Sequence, residues 1–155
     1  MFEKVLVCLD GSPLAEAILP YIAEESRHFS KIVFLMAIDA PVVSLPVGVP
    51  GESAGPVRTE AMLKEFRAAL EKAPAYLDRL AEPLRAAGAE VETAVLEGNP
   101  AEVIIDYIRE NDISLVALAT HGHSGLRNIA MGSTAAFLLK NAGRPVLIVT
   151  PGKKG

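Results

Sequence analysis

The feature that most constrains the fold of this chain is a set of short, wholly apolar runs at residues 5–9, 32–38 and 115–119. Each run has the length of a strand, well below the roughly 20 apolar residues of a membrane-spanning helix. A strand that is apolar on both faces must be covered on both sides, as in a parallel sheet between two layers of helices. These runs therefore predict the core of an α/β protein.

Helical patterns separate the strands and complete a β-α alternation. Residues 90–96 alternate charged and apolar side chains, which is typical of an edge strand, and residues 145–150 read as a fifth strand. Helices are predicted over 13–28 and 57–87, after Pro100 and from Gly132 to Gly143. We expect internal prolines to kink the first helix and to bend or split the second, at Pro20, Pro74 and Pro83.

The alternation predicts an α/β fold with a single domain, an open five-stranded parallel sheet with helices on both faces. The predicted domain spans residues 1–150, with a long proline- and glycine-containing loop at 41–56 and a flexible tail at 151–155. The loop is a candidate lid over a ligand, a partner surface or a disordered excursion.

Composition argues against two classes of partner. The net charge of −4 offers no chain-wide basic footprint for nucleic acid, and no apolar run suits a membrane. The only cysteine, Cys8, lies in an apolar run and is predicted to be an inert buried thiol. The first residues show no signal-peptide pattern, so we expect a cytoplasmic protein.

A ligand site is expected where the winding of such a sheet reverses, beyond the carboxyl ends of the strands. Four predicted strands end in candidate segments, which are Asp10-Gly11-Ser12, Ile38-Asp39-Ala40, Glu97-Gly98-Asn99 and Thr120-His121-Gly122. Gly132-Ser133 begins a helix, where unpaired N–H groups and a partial positive charge suit an anion. Glycine and serine also begin helices for capping reasons alone. The sequence contains neither a P-loop nor a GxGxxG motif after the first strand, which disfavours P-loop and dinucleotide-binding proteins.

Together these segments resemble the universal stress protein family. The likeness rests on Asp10-Gly11-Ser12, on Ala119-Thr120-His121-Gly122, on Gly132-Ser133 after a spacing of nine residues, and on Arg144-Pro145-Val146-Leu147-Ile148-Val149. In the ATP-binding branch of that family the pattern is glycine, two residues, glycine, nine residues, glycine and Ser/Thr. Ala119 stands here in place of the first glycine.

The resemblance implies a Rossmann-like, adenine nucleotide alpha hydrolase-like fold with strand order 3-2-1-4-5. It further implies that ATP binds with its adenine beside Ala37 and Ile38. Asp10 would meet the ribose or help hold magnesium on the phosphates. Gly122, Gly132, Ser133 and Thr134 would cradle the phosphates, and Val146–Val149 would pair with a second copy in a homodimer.

Three residues between the phosphate-loop glycines have two interpretations. Arg127 is a candidate phosphate contact or a solvated side chain, and Ser124 and Gly125 offer backbone donors or only a turn. The predicted function is an ATP-binding regulatory stress-response protein that works as a nucleotide-dependent homodimeric switch with an unknown protein partner. The alternatives are a scaffold of the same fold that binds no nucleotide, and a slow ATPase or phosphotransferase. No catalytic constellation stands out, so we do not expect an enzyme.

Overall fold

Five parallel strands form the main sheet: β1 (Lys4–Leu9), β2 (Lys31–Ile38), β3 (Val91–Glu97), β4 (Leu115–Ala119) and β5 (Val146–Val149). They come from a computed structural model that describes residues 2–41, 43–44, 56–57, 59–121 and 132–152. The strand order is β3-β2-β1-β4-β5, which confirms the order 3-2-1-4-5. The predicted strand limits differ from these by at most about one residue, since terminal residues of strands fray.

Both faces of the sheet are buried, as the apolar runs predict. On one face Phe34 packs with Ile18 and Leu77 from the helices that follow β1 and β2. On the other face Leu6 packs with Ile108 and Leu138, which come from the helices before β4 and β5. Alternate residues of β1 belong to the two clusters, so this central strand joins the two halves of the core.

The first helical segment differs from the single kinked helix that the sequence predicts. A 3₁₀ turn at Ala15–Ile18 precedes helix α1 (Leu19–Glu25), and a second 3₁₀ turn follows at Ser26–His28. Pro20 lies in the first turn of α1 rather than inside a longer helix. Proline has no N–H to donate and is tolerated in the first turn of an α-helix, where the N–H groups have no partner within that helix, so Pro20 fits the start of α1.

Helix α2 (Glu60–Ala86) is one unbroken helix, so of the two predicted effects of its prolines, bending or splitting, the structure excludes splitting. Pro74 and Pro83 both lie on its solvent-exposed side, where the carbonyls that lose a partner are close to water. The buried side is continuous past both prolines and carries Ala73, Leu77, Ala81 and Leu84. At the start of the helix the Thr59 hydroxyl accepts a hydrogen bond from the Met62 N–H at 3.2 Å.

The two helices on the other face begin as predicted. Helix α3 (Pro100–Glu110) has Asn99 as its cap, with the side-chain oxygen accepting the Glu102 N–H at 3.3 Å. Gly98 has φ of +131°, and a Cβ there would lie 2.8 Å from Val103 Cγ1, so this turn requires glycine. Helix α4 (Gly132–Asn141) begins at the predicted glycine.

Only the ends of the predicted long loop lie among the described residues. Val43–Ser44 pairs antiparallel with Pro56–Val57, while residues 42, 45–55 and 58 lie outside the described part. Of the predicted tail, Pro151 and Gly152 are described and residues 153–155 are not. Within the described ranges, no helix combines the length and apolarity needed to cross a membrane.

Candidate functional site

A cavity of about 530 Å³ opens at the carboxyl edge of the sheet. It lies where β1 and β4 end side by side, with the sheet continuing through β2 in one direction and β5 in the other. This is the switch point at which open α/β sheets place their ligands. The described residues that line the cavity are Cys8, Leu9, Asp10, Ser12, Leu14, Ala15, Ala37, Pro100, Ile104, Leu118, Ala119, Thr120, His121, Gly132, Ser133, Thr134 and Ala135.

The predicted nucleotide-binding residues divide into three groups. Nine line the cavity: Asp10, Ser12, Ala37, Ala119, Thr120, His121, Gly132, Ser133 and Thr134. Gly11 and Ile38 do not line it. Gly11 supplies a left-handed turn with φ of +86°, and the Ile38 carbonyl accepts the Gly98 N–H at 3.0 Å. Gly122, Ser124, Gly125 and Arg127 lie outside the described residues.

Asp10 is the first residue beyond β1, and a tight turn fixes its carboxylate. The Ser12 N–H donates to Asp10 Oδ1 at 2.8 Å, and the Ser12 hydroxyl donates to the same oxygen at 2.5 Å. The Ala15 N–H in turn donates to Ser12 Oγ at 3.2 Å, at the start of the first 3₁₀ turn. The carboxylate is therefore connected to a turn whose Ala15 and Ile18 are buried in the core.

Two helices begin at the cavity and direct their positive ends toward it. Pro100 begins α3 and Gly132 begins α4, and both residues line the cavity. The first N–H groups of a helix have no partner within the helix and attract negative charge. No lysine or arginine is among the described residues that line this cavity. In the described part of the site, the attraction for an anion therefore comes from backbone N–H groups.

The deeper lining of the cavity is apolar, and sequence reasoning missed most of it. Cys8, Ala37 and Leu118 come from β1, β2 and β4, while Ile104 and Ala135 come from α3 and α4. All five belong to the core cluster on the α3 and α4 face or pack against it. Pro100 could have been identified as a cavity residue from the sequence, because it directly follows the turn after a predicted strand. Ile104 and Ala135 line the cavity only because of how their helices pack on the sheet. A flat apolar group fits this lining, with an anion at the helix termini.

Burial raises the pKa of the Cys8 thiol to about 12. The thiol is thus protonated over the physiological range and is a poor nucleophile, in agreement with the expected inert cysteine. It is only partly buried, however, and the sequence did not indicate that it lines the cavity.

The shifted thiol predicts a loss of stability at alkaline pH. In the unfolded chain the thiol ionises near pH 9.0, whereas the folded protein keeps it protonated to about pH 12. The folded state thus binds the extra proton, and its stabilising contribution is lost as pH rises from about 9 to 12. In urea titrations, we expect wild-type protein to lose on the order of 1–2 kcal/mol more unfolding free energy than Cys8→Ala between pH 8 and pH 10.5. Parallel pH curves for the two proteins would contradict this.

The fold and the site define a class: a doubly wound, Rossmann-like α/β protein with a ligand cavity at its switch point. Residues 1–150 match the model of the universal stress protein family. Universal stress protein MJ0531 of Methanocaldococcus jannaschii is 30% identical over 154 residues, which cover 99% of this chain and 85% of the relative. The chain belongs to the universal stress protein family.

Solved structures of other proteins share the fold. Hypothetical protein MJ0577, also of Methanocaldococcus jannaschii, superposes with a TM-score of 0.73 at 22% identity, covering 99% of both chains. A universal stress protein family protein of Arabidopsis thaliana, solved with AMP bound, has a TM-score of 0.60 at 16% identity over 97% of this chain and 93% of its own. At these identities the likeness establishes the fold alone.

Proposed function

We propose that the protein binds an adenine nucleotide, ATP, in the cavity at the carboxyl edge of the sheet. The observation that carries the proposal is that Asp10 and the Gly132–Ser133 end of α4 line one cavity whose deeper wall is apolar. A nucleotide has the matching chemistry, with a flat base, a ribose that donates hydrogen bonds and an anionic tail. Family membership and the fold neighbour with AMP bound support a ligand of the adenine nucleotide class.

The lining suggests how the nucleotide lies. The base would rest on Ala37 and Cys8, beside the α3 wall of Pro100 and Ile104. The ribose hydroxyls would donate to the Asp10 carboxylate. The phosphates would accept hydrogen bonds at the start of α4, from Ser133 and Thr134. Gly122, Ser124, Gly125 and Arg127, outside the described residues, would complete the phosphate loop.

Magnesium fits this site only together with the nucleotide. The described residues contain no cluster of three or more histidine, cysteine, aspartate or glutamate side chains that could hold a metal by themselves. Mg²⁺ is commonly held by one or two carboxylates plus substrate phosphates and water. Asp10 would supply that carboxylate at the cavity, and the ion would neutralise phosphate charge.

The two edges of the sheet support a homodimer that pairs through β5. At the β3 edge, Arg85 donates to the Val91 carbonyl through Nε at 3.0 Å, and Lys31 forms ion pairs with Glu90 and Glu92. Such charged groups discourage strand pairing. In contrast, β5 consists of Val146, Leu147, Ile148 and Val149, without charge. We propose that ATP occupancy, at the ends of β1 and β4 and one strand from β5, changes how this dimer binds a protein partner.

Direct binding measurements test the nucleotide proposal. Titration calorimetry with ATP and Mg²⁺ is expected to give one site per chain, and a ligand at 100 times its Kd should stabilise the fold by about 2.7 kcal/mol in thermal or urea unfolding. Mass spectrometry of the purified protein should detect any adenine nucleotide that it retains. No heat and no thermal shift at millimolar ATP, ADP and AMP would contradict the proposal.

Ala119 supports one alternative, a scaffold of the same fold that binds no nucleotide. Its side chain stands where the ATP-binding pattern has glycine, and Ala119 both lines the cavity and packs against the core. A scaffold would show no response in the binding titrations and would capture its partner equally well with and without ATP.

A single-turnover assay with radiolabelled ATP tests the other alternative, since nucleotide intact after hours excludes an ATPase.

A further inference from the structure

The Ser12 hydroxyl has no proton left to offer a ligand. A serine hydroxyl carries one proton and two acceptor lone pairs. The proton is donated to Asp10 Oδ1, and one lone pair accepts the Ala15 N–H. Although Ser12 lines the cavity, donating to a phosphate would require it to abandon Asp10.

Asp10 is held through only one of its two carboxylate oxygens. Oδ1 accepts both the backbone N–H and the hydroxyl of Ser12, while Oδ2 has no hydrogen-bond partner among the described residues. Rotation of the carboxylate would break two hydrogen bonds to a charged acceptor, which are stronger than bonds between neutral groups. At any time one carboxylate oxygen, Oδ2 in this arrangement, is therefore available to a ligand in the cavity that Asp10 lines.

The turn is anchored in the protein core. Ser12 Oγ bonds the Ala15 N–H, and the Ser12 carbonyl accepts the Glu16 N–H at 3.3 Å. Ala15 and Ile18 of the same 3₁₀ turn are 6% and 0% exposed. The Ser12 hydroxyl therefore links the Asp10 carboxylate to this partly buried turn, in addition to the backbone N–H bond of Ser12.

We propose that Ser12 is a positioning residue that acts through Asp10 and donates no hydrogen bond to the nucleotide. This inference rests on the proposed function, because it assigns the contact with ribose or Mg²⁺ to Asp10. It removes Ser12 from the residues that donate to the ligand and makes it part of the support for Asp10.

A double-mutant cycle tests the inference by titration calorimetry with Mg-ATP. Ser12→Ala is expected to weaken ATP binding by roughly 10-fold in the wild-type background, the effect of losing a partner that orients a binding group. In the Asp10→Ala background, the same change is expected to alter the Kd by less than about 2-fold, because the group that it positions is gone. Ser12→Thr keeps the hydroxyl and should restore most of the affinity.

Each result decides a different point. Equal losses from Ser12→Ala in both backgrounds would mean direct contact between Ser12 and ATP and would overturn the positioning role alone. Absence of ATP binding by the wild-type protein would overturn the proposed function and this inference together. Urea unfolding of each variant measures stability separately from affinity. Ser12→Ala should lower stability less in the Asp10→Ala background, because the bond between the hydroxyl and Asp10 is already absent there and only the Ala15 N–H partner is lost.

Discussion

Gly132→Val is expected to weaken ATP binding by at least about 100-fold, equivalent to roughly 2.7 kcal/mol. Gly132 begins α4, lines the cavity and has φ of +62°. A β-branched side chain disfavours this conformation, so valine would shift the first N–H groups of α4 from the place proposed for the phosphates. Its bulk would also occupy space beside Ser133. Titration calorimetry with Mg-ATP measures the loss.

Gly143→Val is the matched control for that prediction. Gly143 has φ of +61°, and, as at Gly132, a Cβ there would meet nothing within 4 Å in the described part of the chain. It follows the carboxyl end of α4 and does not line the cavity. Both variants should lose about 1–2 kcal/mol of stability from backbone strain, but only Gly132→Val should lose ATP affinity. Equal ATP affinities for the two variants would contradict the proposal that the phosphates bind at the start of α4.

Leu147→Lys is expected to convert the proposed homodimer into a monomer. Leu147 is 39% exposed on the uncharged edge strand β5, and strand pairing with a second copy would bring its side chain close to the interface. The ammonium group of a lysine there would lose its hydrating water in the dimer without gaining an ion-pair partner. Charge on an edge strand also opposes strand pairing. We expect the dimer Kd to rise at least about 100-fold. Sedimentation equilibrium at tens of micromolar protein measures the change.

Tyr21→Lys is the corresponding control, because Tyr21 is 53% exposed and lies on helix α1, not on the edge strand β5. This variant should sediment as the wild-type protein does. If the Leu147→Lys protein remains dimeric, the dimer interface does not include β5. If the wild-type protein is monomeric at these concentrations, the proposal of a dimeric switch is wrong.

The fold could be predicted because its signals are local. The apolar runs that became β1, β2 and β4 are each covered on both faces, and Asn99-Pro100 and Gly132 begin helices where their backbone preferences predict. The differences between sequence and structure concern the effects of proline on helix limits. Pro20 lies in the first turn of α1. Pro74 and Pro83 lie inside α2, which tolerates them because they are on the side of the helix that faces water.

By itself, the sequence determined the parallel α/β architecture, the position of the cavity beyond the strand ends, and the residues that turn the chain there. A strand end and a helix start are visible in a few neighbouring residues, so Asp10, Thr120 and Gly132 could be identified together. Tertiary structure alone decided the apolar wall and the role of Ser12. Ile104 and Ala135 reach the cavity because two helices pack over the same face of the sheet. The direction in which one hydroxyl donates its proton depends on atomic distances that residue spacing does not encode.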